Sequence, residues 1–356
     1  MGCGRGARVK IGVAHVAGLY NYPGVAGAQF TEGCNAIWTL GARTLMLWAT
    51  SAYASKDYPR QTWTGTPTTL KTLMQIPQYK AQLDRSWDQV FLTAYTFANN
   101  PGGTVTNGWI VDPSVAYMTA EYAEIRELAE YLLTQYNGTG RTFVLKNWEG
   151  DWSLMDAQGL PDTRVTWQRV QNCAAFHGTR QRAVADARRA VASDCTVLNA
   201  IDVNLVTDVR RYPHRPRLTN SIVPLVRPDV VSFSSYDANI VNQGGWGASH
   251  AAWVAATTPV YTAALRTLKQ ASPGSRLVIS EEGYPEGSEK PAYSDVAAMV
   301  QVIHAISVAE GVHTLLYWQV FGNDETSPGS GVPRLFATHK PDGTLTAAGT
   351  KIATLV

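Results

Sequence analysis

Two short stretches run an apolar segment straight into a glutamate: Phe143-Val-Leu-Lys-Asn-Trp-Glu-Gly-Asp-Trp152 and Leu277-Val-Ile-Ser-Glu-Glu-Gly-Tyr-Pro285. A charge at the rim of an apolar strand is costly unless it is solvated, paired or used. Two such carboxylates facing one cleft are what hydrolysis of a glycosidic bond requires. One protonates the leaving oxygen; the other attacks the anomeric carbon or activates water. Glu149 suits the acid, because Trp148 and Trp152 offer an apolar wall that disfavours the charged form. Glu281 suits the nucleophile, which must stay ionised with help from hydroxyl or amide donors. Tyr236, closing the run Val230-Val-Ser-Phe-Ser-Ser-Tyr236, is a candidate donor. Strand alternation turns Glu282 away from Glu281 and toward the wall, and Asp151 is a reserve acid if a bulge near Gly150 shifts the register. Lys146 raises Schiff-base chemistry, but if no bulge intervenes the same alternation faces it away from Glu149 and makes an aldolase reading weak.

Those residues need a scaffold that brings positions 149 and 281 together. Eight apolar, β-branched or aromatic runs read as strands: Val9–Val16, Thr44–Trp48, Val90–Tyr95, Thr142–Leu145, Thr196–Val206, Val230–Ser234, Leu277–Ser280 and Thr314–Val320. They show little polar alternation, as parallel strands covered on both faces do. Helical patterns lie between them at Gln29–Leu40, Thr68–Leu83, Ala120–Gln135, Thr163–Val191, His250–Gln270 and Ala292–Glu310. Pro77 should break the second, and the prolines of Arg210–Arg227 predict a short, broken helix there. In the third, Glu121, Glu124, Glu127 and Glu130 read as a solvated face opposite Ala123, Ile125, Leu128 and Leu132. This α/β alternation predicts a closed (β/α)₈ (TIM) barrel. It forms a single domain over residues 1–356, with short extra segments at the N-terminus and after strand eight. In such a barrel the fourth and seventh strands end on facing sides of the mouth.

Composition narrows the partners. With 30 basic against 28 acidic residues, the chain has no strong field for nucleic acid or anionic lipid. No apolar run reaches the ~18 to 20 residues of a bilayer span, and neither GxGxxG nor GxxxxGK[ST] occurs. The expected partner is an oligo- or polysaccharide, with no cofactor and no metal. The histidines show no HxH or HExxH spacing, and Asn323–Pro328 lacks the acid spacing of a calcium loop. Loop aromatics Trp63, Trp109, Trp152, Trp246 and Tyr284 suit the C–H faces of sugars, and His15 could reach the mouth from the end of strand one. Trp38 and Trp253 read as core. Cys34, Cys173 and Cys195 read as buried thiols, with Cys3–Cys34 a disulfide option in an exported protein. A secreted or extracellular location is favoured over a cytoplasmic one.

The order and endings of these strands resemble the clan A glycoside hydrolases, retaining (β/α)₈ enzymes. In that clan an acid/base glutamate ends the fourth strand after an asparagine, and a nucleophile ends the seventh as Ser/Thr-Glu-x-Gly. Ile279-Ser-Glu281-Glu-Gly283 is similar to the nucleophile segment, and Trp318 in Leu315-Leu-Tyr-Trp-Gln319 to the sugar-floor tryptophan of strand eight. The resemblance implies Glu149 as acid/base, Glu281 as nucleophile and a role for Asn147 at the sugar 2-hydroxyl. Two departures stand beside it. One residue separates Asn147 from Glu149, and the clan's second-strand arginine is missing after Leu45-Met-Leu-Trp-Ala-Thr50. They support an alternative, a carbohydrate-binding barrel that has lost catalysis.

Overall fold

The computed structural model describes residues 8–16, 26–100, 113–155, 165–239, 249–284, 286, 295–322, 336–340 and 342–356. Eight strands form, one in each expected run: β1 (Lys10–His15), β2 (Thr44–Ala49), β3 (Gln89–Ala94), β4 (Thr142–Lys146), β5 (Thr196–Val203), β6 (Val230–Ser234), β7 (Arg276–Glu282) and β8 (Thr314–Tyr317). Each pairs in parallel with the next, and β8 closes on β1. The fold is a (β/α)₈ barrel.

Alternation along the strands divides the core into two parts. Inward-facing Ala14, Met46, Phe91, Val144, Leu198, Ala200, Val230, Val278 and Leu316 fill the barrel interior. The outward-facing residues join the larger layer between sheet and helices, with Leu45, Leu47, Val90, Leu92, Phe143 and Leu145 buried there. Long helices cover the sheet at Gln29–Thr39, Val115–Gln135, Trp167–Ala190, His250–Ala271 and Val296–Ala309. Pro77 does divide its segment, into Leu70–Gln75 and Pro77–Leu83. The Arg210–Arg227 passage holds the end of a short helix, a π-helical turn and a four-residue helix. Among the described residues, no helix is long and apolar enough to cross a membrane.

The acidic stripe is corrected. Glu121 and Glu124 are buried, not solvated. Glu121 pairs with Arg180 at 3.2 Å and accepts from Thr96 Oγ1 at 2.6 Å. Glu124 accepts backbone N–H groups of Leu70, Phe97 and Ala98 at 2.8 to 3.2 Å, capping one helix and tying down the loop after β3. A run of unsatisfied backbone donors can bury a carboxylate as effectively as a cation can. Ala123, expected on the apolar stripe, is exposed. Trp63 and Tyr284 do lie in loops, but they are corrected from sugar-facing to packing residues. Trp63 stacks on Tyr79 at 5.5 Å, and Tyr284 is fully buried against Trp253. Cys34, Cys173 and Cys195 are buried; Cys3, Trp109, Trp246 and residues 323–328 lie outside the described residues.

Candidate active site

Strand β4 delivers its residues to the mouth in an order that alternation alone does not give. Val144 and Lys146 both face the barrel interior. Lys146 Nζ lies 2.6 Å from Asp202 Oδ2 on β5, 3.5 Å from Glu281 Oε1 and 3.8 Å from Met46 Sδ. The chain then leaves the strand. Asn147 turns to β5, where its Oδ1 accepts from the Asp202 N–H at 2.9 Å and its Nδ2 donates to the Asp202 carbonyl at 3.3 Å. Glu149 adopts a left-handed conformation, φ 31° and ψ 63°, as the cap of the short helix Gly150–Leu154. A non-glycine residue held there is strained, and such strain concentrates at functional sites. The turn takes Glu149 out of the strand's alternation and onto the cavity that Glu281 lines. Gly150 is required at this bend: a Cβ would run into Leu218 and sit 2.9 Å from the Asp202 carbonyl oxygen.

Strand β7 uses a different device. Its pairing with β6 steps from Phe233–Ile279 to Ser234–Glu281, and with β8 from Leu315–Ile279 to Tyr317–Glu282. This is a β-bulge at Ser280–Glu281. It lets both residues face inward. Ser280 Oγ donates to Asp202 Oδ2 at 2.8 Å, while Glu281 faces Lys146. Glu282 points outward into the wall, where it accepts from Tyr261 at 2.9 Å and from Ser235. Trp318, just past β8, donates its N–H to the Glu282 carbonyl at 2.8 Å. The strands approach so closely that a Cβ on Gly283 would collide with the Trp318 carbonyl, which accounts for the glycine in Ser-Glu-x-Gly.

Glu149 and Glu281 line one cavity of about 480 Å³. Trp48, Trp148, Trp318, Val16 and Phe336 supply its apolar walls, and Tyr236, Lys56 and Asp57 its other polar groups. Trp48 and Trp148 pack with ring centroids 6.0 Å apart. Several expected residues lie elsewhere. Asn147 is engaged by the Asp202 backbone and does not line the cavity. His15 is corrected: it is buried beneath the mouth among Phe30, Tyr58 and Phe321, bonded to the Phe30 carbonyl at 3.2 Å. Trp152 stands behind Glu149, its indole Nε1 donating to Oε2 at 2.9 Å. Asp151, the reserve acid, is fully buried and accepts from the N–H groups of Asn204, Leu205 and Leu218.

Electrostatics separates the two carboxyls. Burial, then the charges of Glu281 and Asp202, raises Glu149 far above the ordinary carboxylate range. Burial also raises Glu281, but Lys146 opposes it, as does a hydrogen bond from Trp148, so it rises less. Burial alone would lower Lys146; Asp202 and Glu281 more than offset this, and it stays above its ordinary value as a cation. Of the two glutamates Glu149 is raised the further, which favours its protonated form. Tyr236 is driven well above its usual range by burial and by both glutamates, so its phenol remains a donor.

No protein-family model matches the sequence, and no curated protein matches it significantly. Solved structures do match. A GH5_18 protein from Bifidobacterium longum subsp. infantis aligns with a TM-score of 0.61 at 13% identity, covering 98% of this chain and 78% of that one. A GH5_18 protein from Streptomyces cattleya in complex with GlcNAc gives 0.58 at 14%, with 98% and 80% covered. Xylanase 10B from Thermotoga maritima gives 0.52 at 13%, with 98% and 94% covered. The structural neighbours are clan A glycoside hydrolases. At these identities the likeness is one of fold, and no single family within the clan is assigned.

Against that barrel, the sequence reading missed Trp48, Lys56, Asp57, Val16 and Phe336 on the cavity and Asp202 beneath it. Asp57 sits on a π-helical turn after β2, its Oδ2 accepting from Thr50 Oγ1 at 2.6 Å. Loop residues of this kind leave no periodic signal. Asp202 and Lys146 did leave one, since each is a lone charge in an apolar run. The burial-cost argument that found the glutamates applies equally to them.

Proposed function

We propose that this protein is a retaining glycoside hydrolase acting on a β-linked glycan, with Glu149 as acid/base and Glu281 as nucleophile. One observation carries the reading: carboxyls from the turn after β4 and from β7 share an aromatic-walled cavity, one raised by burial toward its protonated form and the other beside a buried cation. Glu281 attacks the anomeric carbon while Glu149 gives its proton to the leaving oxygen. The resulting ester is then cleaved by a water that Glu149 deprotonates. Trp148, Trp318 and Tyr236 contact the sugar in this reading, the rings against C–H faces and the phenol as donor. A carbohydrate substrate is also supported by the neighbours, since the Streptomyces cattleya protein is described with GlcNAc and a variant with Manβ1-4GlcNAc.

The test is turnover of a panel of β-glycans and aryl β-glycosides, with the first-formed anomer followed by NMR. Retention is expected, and Glu281→Gln should lose on the order of 10⁴-fold or more in kcat, as removal of a covalent nucleophile does. Inversion would reassign Glu281 as a base. Normal turnover by the Gln variant would remove it from the reaction. The engagement of Asn147 away from the cavity favours one other reading, a barrel that binds glycan without cleaving it. That reading predicts saturable binding with no sugar released by the wild type.

A further inference from the structure

Lys146 is a buried charge at the floor of the site, between Asp202 and Glu281. Its side chain is fully buried inside the barrel, where an ammonium without partners would be prohibitively costly. Asp202 holds it at 2.6 Å, and Asp202 is itself gripped by Ser280 Oγ at 2.8 Å and Ser234 Oγ at 3.2 Å. Asn147 fixes the Asp202 backbone from the other side. The ammonium is thus anchored on one carboxylate, and its contact with Glu281, at 3.5 Å, is the looser of the two. A buried Lys–Asp pair that served the fold alone would need no third carboxyl group within reach.

We propose that Lys146 is the positioning residue of the site. Clamped by Asp202, its ammonium fixes the direction of the Glu281 carboxylate and keeps it ionised without binding it tightly enough to suppress its attack. This rests on the reading of Glu281 as nucleophile. Bond making balances without any proton leaving Lys146. As a Glu281 oxygen bonds to the anomeric carbon, the bond to the leaving oxygen breaks and that oxygen takes the Glu149 proton. Glu281 becomes a neutral ester, the negative charge passes to Glu149, and Lys146 remains paired with Asp202. When water attacks, Glu149 recovers a proton and Glu281 returns as a carboxylate facing the same ammonium. The groups that set the ionisation of Glu281 are Lys146 at the end of β4, Trp148 and Glu149 in the turn after it, Asp202 on β5 and Tyr236 in the turn after β6. Lys56 and Asp57 also line the shared cavity.

The experiment is the pH dependence of kcat/KM for the wild type, Lys146→Met and the double variant Lys146→Met/Asp202→Asn, on an aryl β-glycoside that the wild type turns over. The double variant removes the pair together, so Asp202 is not left as a buried carboxylate without its cation. Both variants are expected to keep KM within a few-fold and to lose about 10²-fold or more in kcat. The acidic limb of Lys146→Met should move to higher pH by about one unit or more, because Glu281 then ionises later; in the double variant loss of the Asp202 charge opposes this, and the limb should move less. A folded Lys146→Met whose acidic limb stays in place, or a folded double variant whose kcat is unchanged, overturns the proposal while the wild-type activity upholds the glycosidase reading. A wild type that cleaves no glycoside overturns both, and the two failures are told apart by that control.

Discussion

The ends of β4 and β7 face each other across one cavity and reach it by opposite means. β7 keeps its strand and inserts an extra residue, so that Ser280 and Glu281 both turn inward. β4 gives up its strand after Lys146 and swings Glu149 back through a left-handed bend. The bulged glutamate remains seated in the sheet, beside a buried cation and 2% exposed. The bent one sits on a short helix, partly exposed and touched by indole nitrogen rather than by charge. In the proposed reading, backbone form matches the chemistry. A nucleophile needs a fixed direction and a counter-charge, which the sheet provides. An acid/base needs a carboxyl whose proton is favoured by poor solvation, and a turn at the mouth provides that.

If this division holds, the sharpest break comes from shortening the bent residue. Glu149→Ala should lose about 10²–10⁴-fold in kcat/KM on a glycan, the usual contribution of general acid catalysis. The loss should be much smaller for an aryl glycoside whose leaving group needs no proton. Azide should restore the second step and give a glycosyl azide. The pH profile should change as well. In the wild type, activity rises as Glu281 loses its proton and falls as Glu149 loses its own, and Glu149 is raised the further of the two. The alkaline limb should vanish in the variant on the activated substrate. Equal loss on both kinds of substrate, with no azide product, would end the assignment of Glu149.

A second comparison concerns the two glycines that allow these backbones. At Gly283 a Cβ meets the carbonyl of Trp318, which is backbone and cannot move without reopening the β7–β8 seam. At Gly150 it first meets the tip of the Leu218 side chain, which can turn aside, although the Asp202 carbonyl limits the room. Gly283→Ala should accordingly cost about 2–3 kcal/mol in urea unfolding and Gly150→Ala about 1–2 kcal/mol. A reversed order would mean that the β4 bend, rather than the β7 bulge, is the more rigid support.

Most of the barrel was legible because strand burial on both faces writes itself as continuous apolar runs, and all eight were found. Strand ends were less so, since β5 and β8 close earlier than their apolar runs. The site was legible in type but not in direction. Glu149 and Glu281 announce themselves as charges after apolar runs. Whether Ser280 and Glu149 face inward depends on a bulge and a left-handed turn, and neither is written in hydrophobic periodicity. His15 misled because an imidazole at a strand end looks like a mouth residue. Its burial among three rings became visible only when Phe30, Tyr58 and Phe321 were brought together from distant parts of the chain.

The smallest effect separates the two ends by stability alone. A carboxyl raised above its unfolded value binds more protons in the native than in the unfolded state at neutral pH. Its contribution therefore turns unfavourable as pH rises from the unfolded carboxylate range through the folded one. Glu149→Gln removes that burden and should stabilise the protein by about 1–2 kcal/mol at pH 8, after allowance for solvent screening at the mouth. The gain should fade toward pH 4, where the acid is protonated in both states. Glu281→Gln should gain less, because Lys146 already offsets part of its burial cost and loses a charged partner in the exchange. Urea unfolding of the three proteins at pH 4, 6 and 8 checks this. A Glu149→Gln effect that is destabilising at pH 8, or constant with pH, would show that the bent carboxyl is ionised in the resting protein, and the division of labour between β4 and β7 would then have to be reversed.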